Sequence, residues 1–134
     1  MTEKKRLIPV KEELDIVTAR QAGRELSRSL GFSIVDLTRI TTAISELARN
    51  IILYADSGTV TIETINQADI LGIEIIAQDN GPGIADVDKA MEDGFSTSNG
   101  LGAGLPGVRR LMDDFEIKTE VDKGTTIRIV KWRK

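Results

Sequence analysis

The 134-residue chain contains no cysteine and no histidine. Without cysteine it has no disulfide and no thiolate that could act as a nucleophile or a metal ligand. Without histidine it lacks the most common side-chain base and metal ligand, and it cannot carry a phosphohistidine. No apolar run reaches the roughly 20 residues that a membrane-spanning helix needs. These absences exclude most metal sites and favour a soluble cytoplasmic protein that is not inserted in a membrane.

A strong excess of one charge is also missing. The 18 basic and 21 acidic residues are interspersed, and the formal net charge is −3. Proteins that bind nucleic acid or a membrane surface usually carry a basic patch, so neither partner is expected. The length fits the prior of roughly 150 residues per domain. We therefore predict a single domain over residues 1–134.

Apolar periodicity predicts two consecutive helices. The first spans about 12–30, with Gly31 as its C-terminal signal, and its apolar positions are Leu14, Val17, Ala22 and Leu26. The second begins at Ser33 and ends near Tyr54. Its apolar positions share one face and are Leu37, Ile40, Ile44, Leu47, Ala48 and Ile51.

Five short segments have the composition of strands: 7–10, 59–65, 70–77, 115–121 and 125–132. The first contains Pro9, which cannot donate to a ladder, so it is predicted at a sheet edge. Two further helices are predicted at about 86–93 and 105–114. The order β-α-α-β-β-α-α-β-β predicts an α+β protein, a two-layer α/β sandwich in which helices cover one face of a mixed sheet.

Glu46 and Asn50 are four residues apart on the second predicted helix, so their side chains are neighbours. At 100° per residue they lie away from the face of Ile44, which predicts a position off the core. A lone pair of this kind is most often a solvated surface. It could also supply a carboxylate base beside an amide oxygen for Mg²⁺, which needs few protein ligands when phosphates supply the rest.

Asp79 ends the isoleucine-rich strand and is followed by Asn80-Gly81-Pro82-Gly83. Asn-Gly and Pro-Gly are common turn formers, which is a sufficient explanation for the glycines. They also allow a flat ligand to approach the backbone closely. In that case the carboxylate of Asp79 could accept a hydrogen bond from an exocyclic amine such as adenine N6.

Seven of the chain's 12 glycines fall between residues 80 and 107. Gly100, Gly102 and Gly104 precede the helix predicted from Leu105, and backbone N–H groups at a helix N-terminus suit phosphate. A flexible surface loop is the alternative. Gly102, Gly104 and Gly107 also match the dinucleotide fingerprint, but they do not follow a strand as that motif requires.

In chain order, Glu46-x-x-x-Asn50, Asp79-x-Gly81-x-Gly83, Gly100-x-Gly102-x-Gly104 and Gly124-Thr125 resemble the N, G1, G2 and G3 boxes of the GHKL ATPases. Gyrase B, Hsp90, histidine kinases and MutL belong to that family. The resemblance spans about residues 30–130 and implies a Bergerat fold that binds ATP and Mg²⁺ under a lid at about 91–104.

The resemblance also implies a role for each matched residue. Asp79 would bind the adenine amine with Thr125 as its support, Asn50 would hold Mg²⁺, and Glu46 would polarise the attacking nucleophile. The remaining nucleotide-binding positions would be Gly81, Gly83, Gly100, Gly102, Gly104 and Leu105. Many relatives carry a lysine or arginine in the lid against the γ-phosphate, whereas residues 95–104 contain no basic residue. Backbone amides of 102–105, or a partner, would then contact that phosphate.

Within this family, the segments ITTAISELARN (40–50), MEDGFSTS (91–98) and GAGLPGV (102–108) resemble the small serine/threonine kinases of bacterial partner switching, in particular those of the stressosome. That resemblance implies phosphorylation of STAS-domain partners. It also implies that the released kinase binds and activates an output protein, often a PP2C-type phosphatase. An ATP-gated anti-sigma or switch protein, which mainly sequesters its partner, is the alternative. A detached histidine-kinase domain is disfavoured because the chain has no phosphoacceptor histidine.

Overall fold

The computed structural model describes residues 5–84, 91 and 104–134. In these ranges the elements follow the order β1 (Lys5–Val10), α1 (Glu13–Ser29), α2 (Ile34–Ala55), β2 (Gly58–Gln67), β3 (Ile70–Asp79), α3 (Gly104–Leu111), β4 (Asp114–Glu120) and β5 (Gly124–Trp132). Every predicted strand is present, as are three of the predicted helices. The helix predicted at 86–93 lies outside the described residues.

The sheet has the order β1-β2-β3-β5-β4, and all four neighbouring pairs are antiparallel. The α+β fold is confirmed, but the prediction of a mixed sheet is wrong. A single crossover helix would return the chain to the far end of the sheet and give parallel strands. Two helices separate β1 from β2, so the chain returns where it left, and Val10 pairs with Gly58. The position of β1 at one edge agrees with the presence of Pro9.

The core lies between the sheet and helices α1 and α2. Side chains alternate along the strands, and those that face the helices are buried: Val60, Ile62, Ile73, Ile75, Ala77, Ile127 and Ile129. The apolar face predicted for α2 is confirmed, because all six of its residues are buried in this core. The helix begins where predicted, and the Ser33 side chain accepts a hydrogen bond from the Asp36 N–H at 3.1 Å.

The face predicted for α1 is only partly right. Ala22 and Leu26 are buried, whereas Leu14 and Val17 are 66% and 38% exposed. The buried face instead contains small residues, among them Gly23, where an added Cβ would lie 2.2 Å from Cδ1 of Ile44. Close contact between α1 and α2 therefore decides which face of α1 turns inward, and Leu14 and Val17 are left on the outer side.

Candidate functional site

Asp79 is the last residue of β3, and its place in the strand alternation turns it toward the helices. Its neighbours in register are Gly58 on β2 and Thr125 on β5. The Asp79 Oδ1 accepts a hydrogen bond from the Gly81 N–H at 2.9 Å, which closes an Asx turn and ends the strand. Hydrogen bonds among the described residues leave its Oδ2 without a donor. The half-buried carboxylate is therefore an oriented acceptor at the end of the central strands.

Close backbone packing surrounds Asp79. A Cβ added at Gly58 would lie 2.4 Å from a β3 carbonyl oxygen, and one added at Gly124 would lie 2.1 Å from the Asp79 carbonyl oxygen. Gly124 also has a φ of 120°. A Cβ added at Gly81 would lie 2.6 Å from Cβ of Ala55, at the end of α2. Gly58 is not among the residues that the sequence predicts for the site, although a glycine in a strand often marks such close approach.

Gly83 packs the turn after β3 against the turn between β4 and β5. Its φ is 77°, and an added Cβ would lie 2.3 Å from the Glu120 carbonyl oxygen. Beside it, the Asp122 N–H donates to the Pro82 carbonyl oxygen at 2.8 Å. Packing alone therefore requires glycine at this position and at Gly81. Their contact with a nucleotide stays a prediction.

Thr125 is buried next to Asp79, but its hydroxyl binds another threonine. The Thr119 and Thr125 hydroxyl oxygens are 2.9 Å apart. Thr119 donates to the Gly124 carbonyl oxygen at 3.2 Å and accepts from the Ile84 N–H at 2.8 Å. Because one hydroxyl has one proton, Thr125 must be the donor to Thr119 when Thr119 donates to Gly124. The Thr119 hydroxyl therefore links Thr125 to the backbone of Ile84, the residue directly after Gly83. Thr119 is not among the residues that the sequence predicts for the site.

Glu46 is 1% exposed, which contradicts the predicted position off the core. Helix α3 packs on this side of α2, so the face opposite the sheet is covered as well. The Gly104 N–H, at the start of α3, donates to Glu46 Oε1 at 3.2 Å. On the other side, Arg49 Nη1 lies 3.3 Å from Glu46 Oε2. Both carboxylate oxygens therefore have a donor, as a buried charge requires.

Asn50 follows Glu46 by one turn of α2 and is half-buried. Among the described residues, no three His, Cys, Asp or Glu side chains converge into a group that could hold a metal. A cation beside Asn50 would thus take its remaining ligands from phosphate and water, which is the usual coordination of Mg²⁺. The donor set fits Mg²⁺ only when a nucleotide is also present.

Asp79, Asn50 and Glu46 lie at three successive heights along the axis of α2. Gly81 places the turn after Asp79 against Ala55, at the C-terminal end of α2. Asn50 and Glu46 lie five and nine residues earlier on this helix, or about 8 and 14 Å along its axis at 1.5 Å per residue. A ligand anchored at Asp79 that extends about 14 Å along α2 would reach the height of Asn50 and then that of Glu46.

The second glycine segment is described only at its end. Gly100 and Gly102 lie outside the described residues, as does the predicted lid apart from Met91 and Gly104. Gly104 has a φ of 74° and is the first residue of α3, and Leu105 after it is 7% exposed. The helix predicted from Leu105 is confirmed, and its N-terminus points at Glu46 through the Gly104 amide.

Residues 22–134 match the family described as histidine kinase-, DNA gyrase B- and HSP90-like ATPase. The chain belongs to this ATPase family. The match covers all four sequence boxes, at 46–50, 79–83, 100–104 and 124–125. Membership implies that ATP is the nucleotide this domain uses.

Relatives of this ATPase domain act in two ways. This chain is 57% identical over 125 residues to the serine/threonine-protein kinase RsbT of Bacillus subtilis, and the match covers 93% of this chain and 94% of that protein. It is 31% identical over 120 residues to the anti-sigma F factor of Thermoanaerobacter sp., covering 85% of this chain and 82% of that protein. The sequence resemblance to the GHKL family and its partner-switching kinases is thereby confirmed.

Solved structures agree on the fold. The RsbU and RsbW domains of Rv1364c from Mycobacterium tuberculosis superpose with a TM-score of 0.66 at 18% identity, over all of this chain and 34% of that longer one. The mycobacterial sensor histidine kinase MprB superposes with a TM-score of 0.55 at 17% identity, over 99% of both chains. The same two-layer ATPase fold therefore holds at low sequence identity.

Proposed function

We propose that this chain is a serine/threonine protein kinase of a bacterial partner-switching system, and that it transfers the γ-phosphate of ATP to STAS-domain proteins of a stressosome. When released from them, it binds and activates a downstream output protein such as a PP2C-type phosphatase. The kinase activity is supported by 57% identity to RsbT along nearly the full length of both proteins. Identity of 31% to anti-sigma F factors supports an exchange of protein partners.

The buried carboxylate of Glu46 is the observation that carries this proposal. A carboxylate that is 1% exposed is costly unless donors compensate it, and here Gly104 and Arg49 do so. Its position is fixed by helix α2, one turn before Asn50. A carboxylate held about 14 Å along α2 from the Asp79 turn is suited to act on a group beside the terminal phosphate.

The nucleotide would lie along α2 in one orientation. Asp79 accepts from the adenine amine with its Oδ2, since Oδ1 already accepts from the Gly81 N–H. Asn50 contributes its amide oxygen to Mg²⁺, which when bound neutralises phosphate charge. Gly81, Gly83 and Thr125 shape the base end, and the backbone amides of 102–105 would contact the γ-phosphate. This assignment rests on the family boxes and on the distances along α2.

The transfer step forms one bond and breaks one. The hydroxyl oxygen of the partner's serine or threonine attacks the γ-phosphorus, and the bond from that phosphorus to the bridging oxygen breaks, so ADP leaves. Glu46 accepts the hydroxyl proton, since a serine is a weak nucleophile at neutral pH without an adjacent base. Positioning and electrostatics supply most of the acceleration in such reactions.

Sequestration without a need for transfer is the second candidate, and the anti-sigma F relatives favour it. In that function ATP would set the affinity for one of two partners. A partner exchange at fixed nucleotide, with no phosphate transferred, would distinguish it from the kinase.

We also infer that residues 1–134 form one domain and that the protein acts in the cytoplasm. Among the residues described, none of the helices combines the length and apolarity needed to cross a bilayer. Both partners proposed above are proteins, and we propose no contact with nucleic acid or membrane.

The test is to incubate the protein with labelled ATP and purified STAS-domain candidates, and then to treat the product with hot acid and with base. We expect label on a partner, in an ester that survives acid, and little label on the chain itself. Glu46→Gln serves as the control for catalysis by this protein.

Two results would contradict the proposed serine/threonine kinase activity. Label lost in acid would indicate a phosphohistidine partner and a histidine-kinase chemistry. Bound nucleotide with no label on any partner would support sequestration instead.

A further inference from the structure

Arg49 lies within the Glu46-x-x-x-Asn50 box, at a position that the box leaves unspecified. It is three residues after Glu46 and directly before Asn50 on α2, and its Nη1 lies 3.3 Å from Glu46 Oε2. The arginine side chain is 34% exposed, whereas that of Glu46 is 2% exposed. The guanidinium therefore reaches inward from the surface of α2 to the buried carboxylate.

We propose that Arg49 is a positioning residue for phosphate transfer, which holds Glu46 in the orientation needed to accept the substrate proton. This inference rests on the proposed kinase function. Among the described residues, Arg49 is the basic side chain within 4.0 Å of a Glu46 oxygen. The Gly104 N–H fixes Oε1, and Arg49 fixes Oε2, so rotation of the carboxylate about its last bond is restrained at both oxygens.

A carboxylate oxygen can accept more than one hydrogen bond, so these two donors do not prevent a third contact. A serine or threonine hydroxyl can approach either oxygen while the arginine stays in place. The arginine also places a positive charge beside the buried carboxylate, at 3.3 Å from its Oε2. The base is thus oriented by groups of this chain before the substrate arrives.

The same helix provides a matched control. Arg39 pairs with Asp36 at 3.1 Å with the same spacing of three residues, but both lie in the first two turns of α2. Arg39 is ten residues before Arg49, or about 15 Å along the helix axis. Arg39→Gln therefore removes an equivalent ion pair from the same helix at a distance from Glu46.

The experiment compares Arg49→Gln, Arg49→Lys and Arg39→Gln in the full chain. Initial rates of transfer to a STAS-domain substrate give kcat and KM, and calorimetry gives the Kd for ATP. We expect Arg49→Gln to lower kcat about 10- to 100-fold, because small misplacement of a reacting group has effects of that size. The KM and Kd for ATP should change less than about twofold. Arg49→Lys should recover part of kcat, and Arg39→Gln should keep it.

A double mutant tests whether Arg49 acts through Glu46. If it does, Arg49→Gln has little further effect on kcat in a Glu46→Gln background, since residues that act as a unit are strongly non-additive. The proposal would be overturned if the two substitutions lowered kcat independently, so that their fold-changes multiplied in the double mutant. A wild-type kcat in Arg49→Gln would also overturn it. A weakened ATP Kd in Arg49→Gln would also overturn it and would assign the arginine to the nucleotide phosphates.

The single variant Glu46→Gln separates this inference from the proposed function. Full transfer by Glu46→Gln would refute Glu46 as the base, and with it the role of Arg49, whereas no transfer by the wild-type chain would refute the proposed kinase function. Loss of transfer in Glu46→Gln together with full transfer in Arg49→Gln would refute only the role of Arg49.

Discussion

Replacement of Asp79 by asparagine should remove the preference for adenine and most nucleotide binding. The variant keeps the shape of the side chain, and its amide oxygen can still accept from the Gly81 N–H as Oδ1 does at 2.9 Å. The change is confined to the position of Oδ2, where an oxygen acceptor becomes an NH₂ donor. That group would face the adenine N6 amine, which is itself a donor.

The expected loss follows from this mismatch. A buried donor left without an acceptor costs about 1–3 kcal/mol, which corresponds to about a 5- to 150-fold weaker Kd. The turn keeps its hydrogen bond, so unfolding of the nucleotide-free variant should occur near the wild-type Tm. Guanine carries an oxygen where adenine carries the amine. The ratio of GTP to ATP affinity should therefore rise in the variant.

Calorimetric titration with ATP and with GTP measures both effects. Asp69→Asn is the matched control, because Asp69 lies in the exposed turn before β3, at the other end of that strand. It makes the same chemical change away from the site and should bind ATP as the wild type does. Wild-type ATP affinity in Asp79→Asn would show that adenine is recognised elsewhere and would refute the orientation proposed along α2.

Three further outcomes can be measured. Glu46→Gln should keep its calorimetric ATP affinity but lose about 10²- to 10⁴-fold in the transfer rate, as is typical when a positioned base is removed, and unchanged transfer would exclude that role. Gly124→Ala should lower stability by at least about 1–3 kcal/mol, because its φ is 120° and the new Cβ would lie 2.1 Å from the Asp79 carbonyl oxygen. Gly31 has a φ of 84°, but a Cβ added there would meet only an arginine side chain, so Gly31→Ala should lose less stability than Gly124→Ala. A larger loss of stability in Gly31→Ala than in Gly124→Ala, measured by thermal unfolding, would contradict this reasoning. Thr64→Val should raise the free energy of unfolding by about 1 kcal/mol, since the buried Thr64 hydroxyl has no hydrogen-bond partner among the residues that the structure describes; a decrease would indicate a bound water there.

The elements of this fold follow closely from local sequence. The six apolar residues predicted for the face of α2 are all buried, and Ser33 starts that helix with its own side-chain hydrogen bond. Pro9 correctly indicated an edge strand, since a residue without an N–H cannot serve a central ladder. These features depend on periodicity and backbone chemistry within a few residues, so the sequence alone determines them.

The candidate site was found because four short boxes occur in one order, and the family match supports that reading. Single residues gave weaker information. Glu46 and Asn50 predicted only a polar face, and the glycines after Asp79 were equally consistent with an ordinary turn. Gly58, Thr119 and Arg49 were not identified, although Arg49 has the helical spacing of an ion pair with Glu46.

Long-range packing decided the rest. β1 and β2 are antiparallel because two helices, rather than one, return the chain between them, and β5 lies between β3 and β4 and is antiparallel to both. The small residues of α1 turn inward because they let it approach α2, and this leaves Leu14 exposed. Glu46 is buried because α3, 58 residues later, covers its side of α2 and donates the Gly104 N–H. Contacts between residues so far apart leave no periodic pattern around Glu46, and only the tertiary structure shows them.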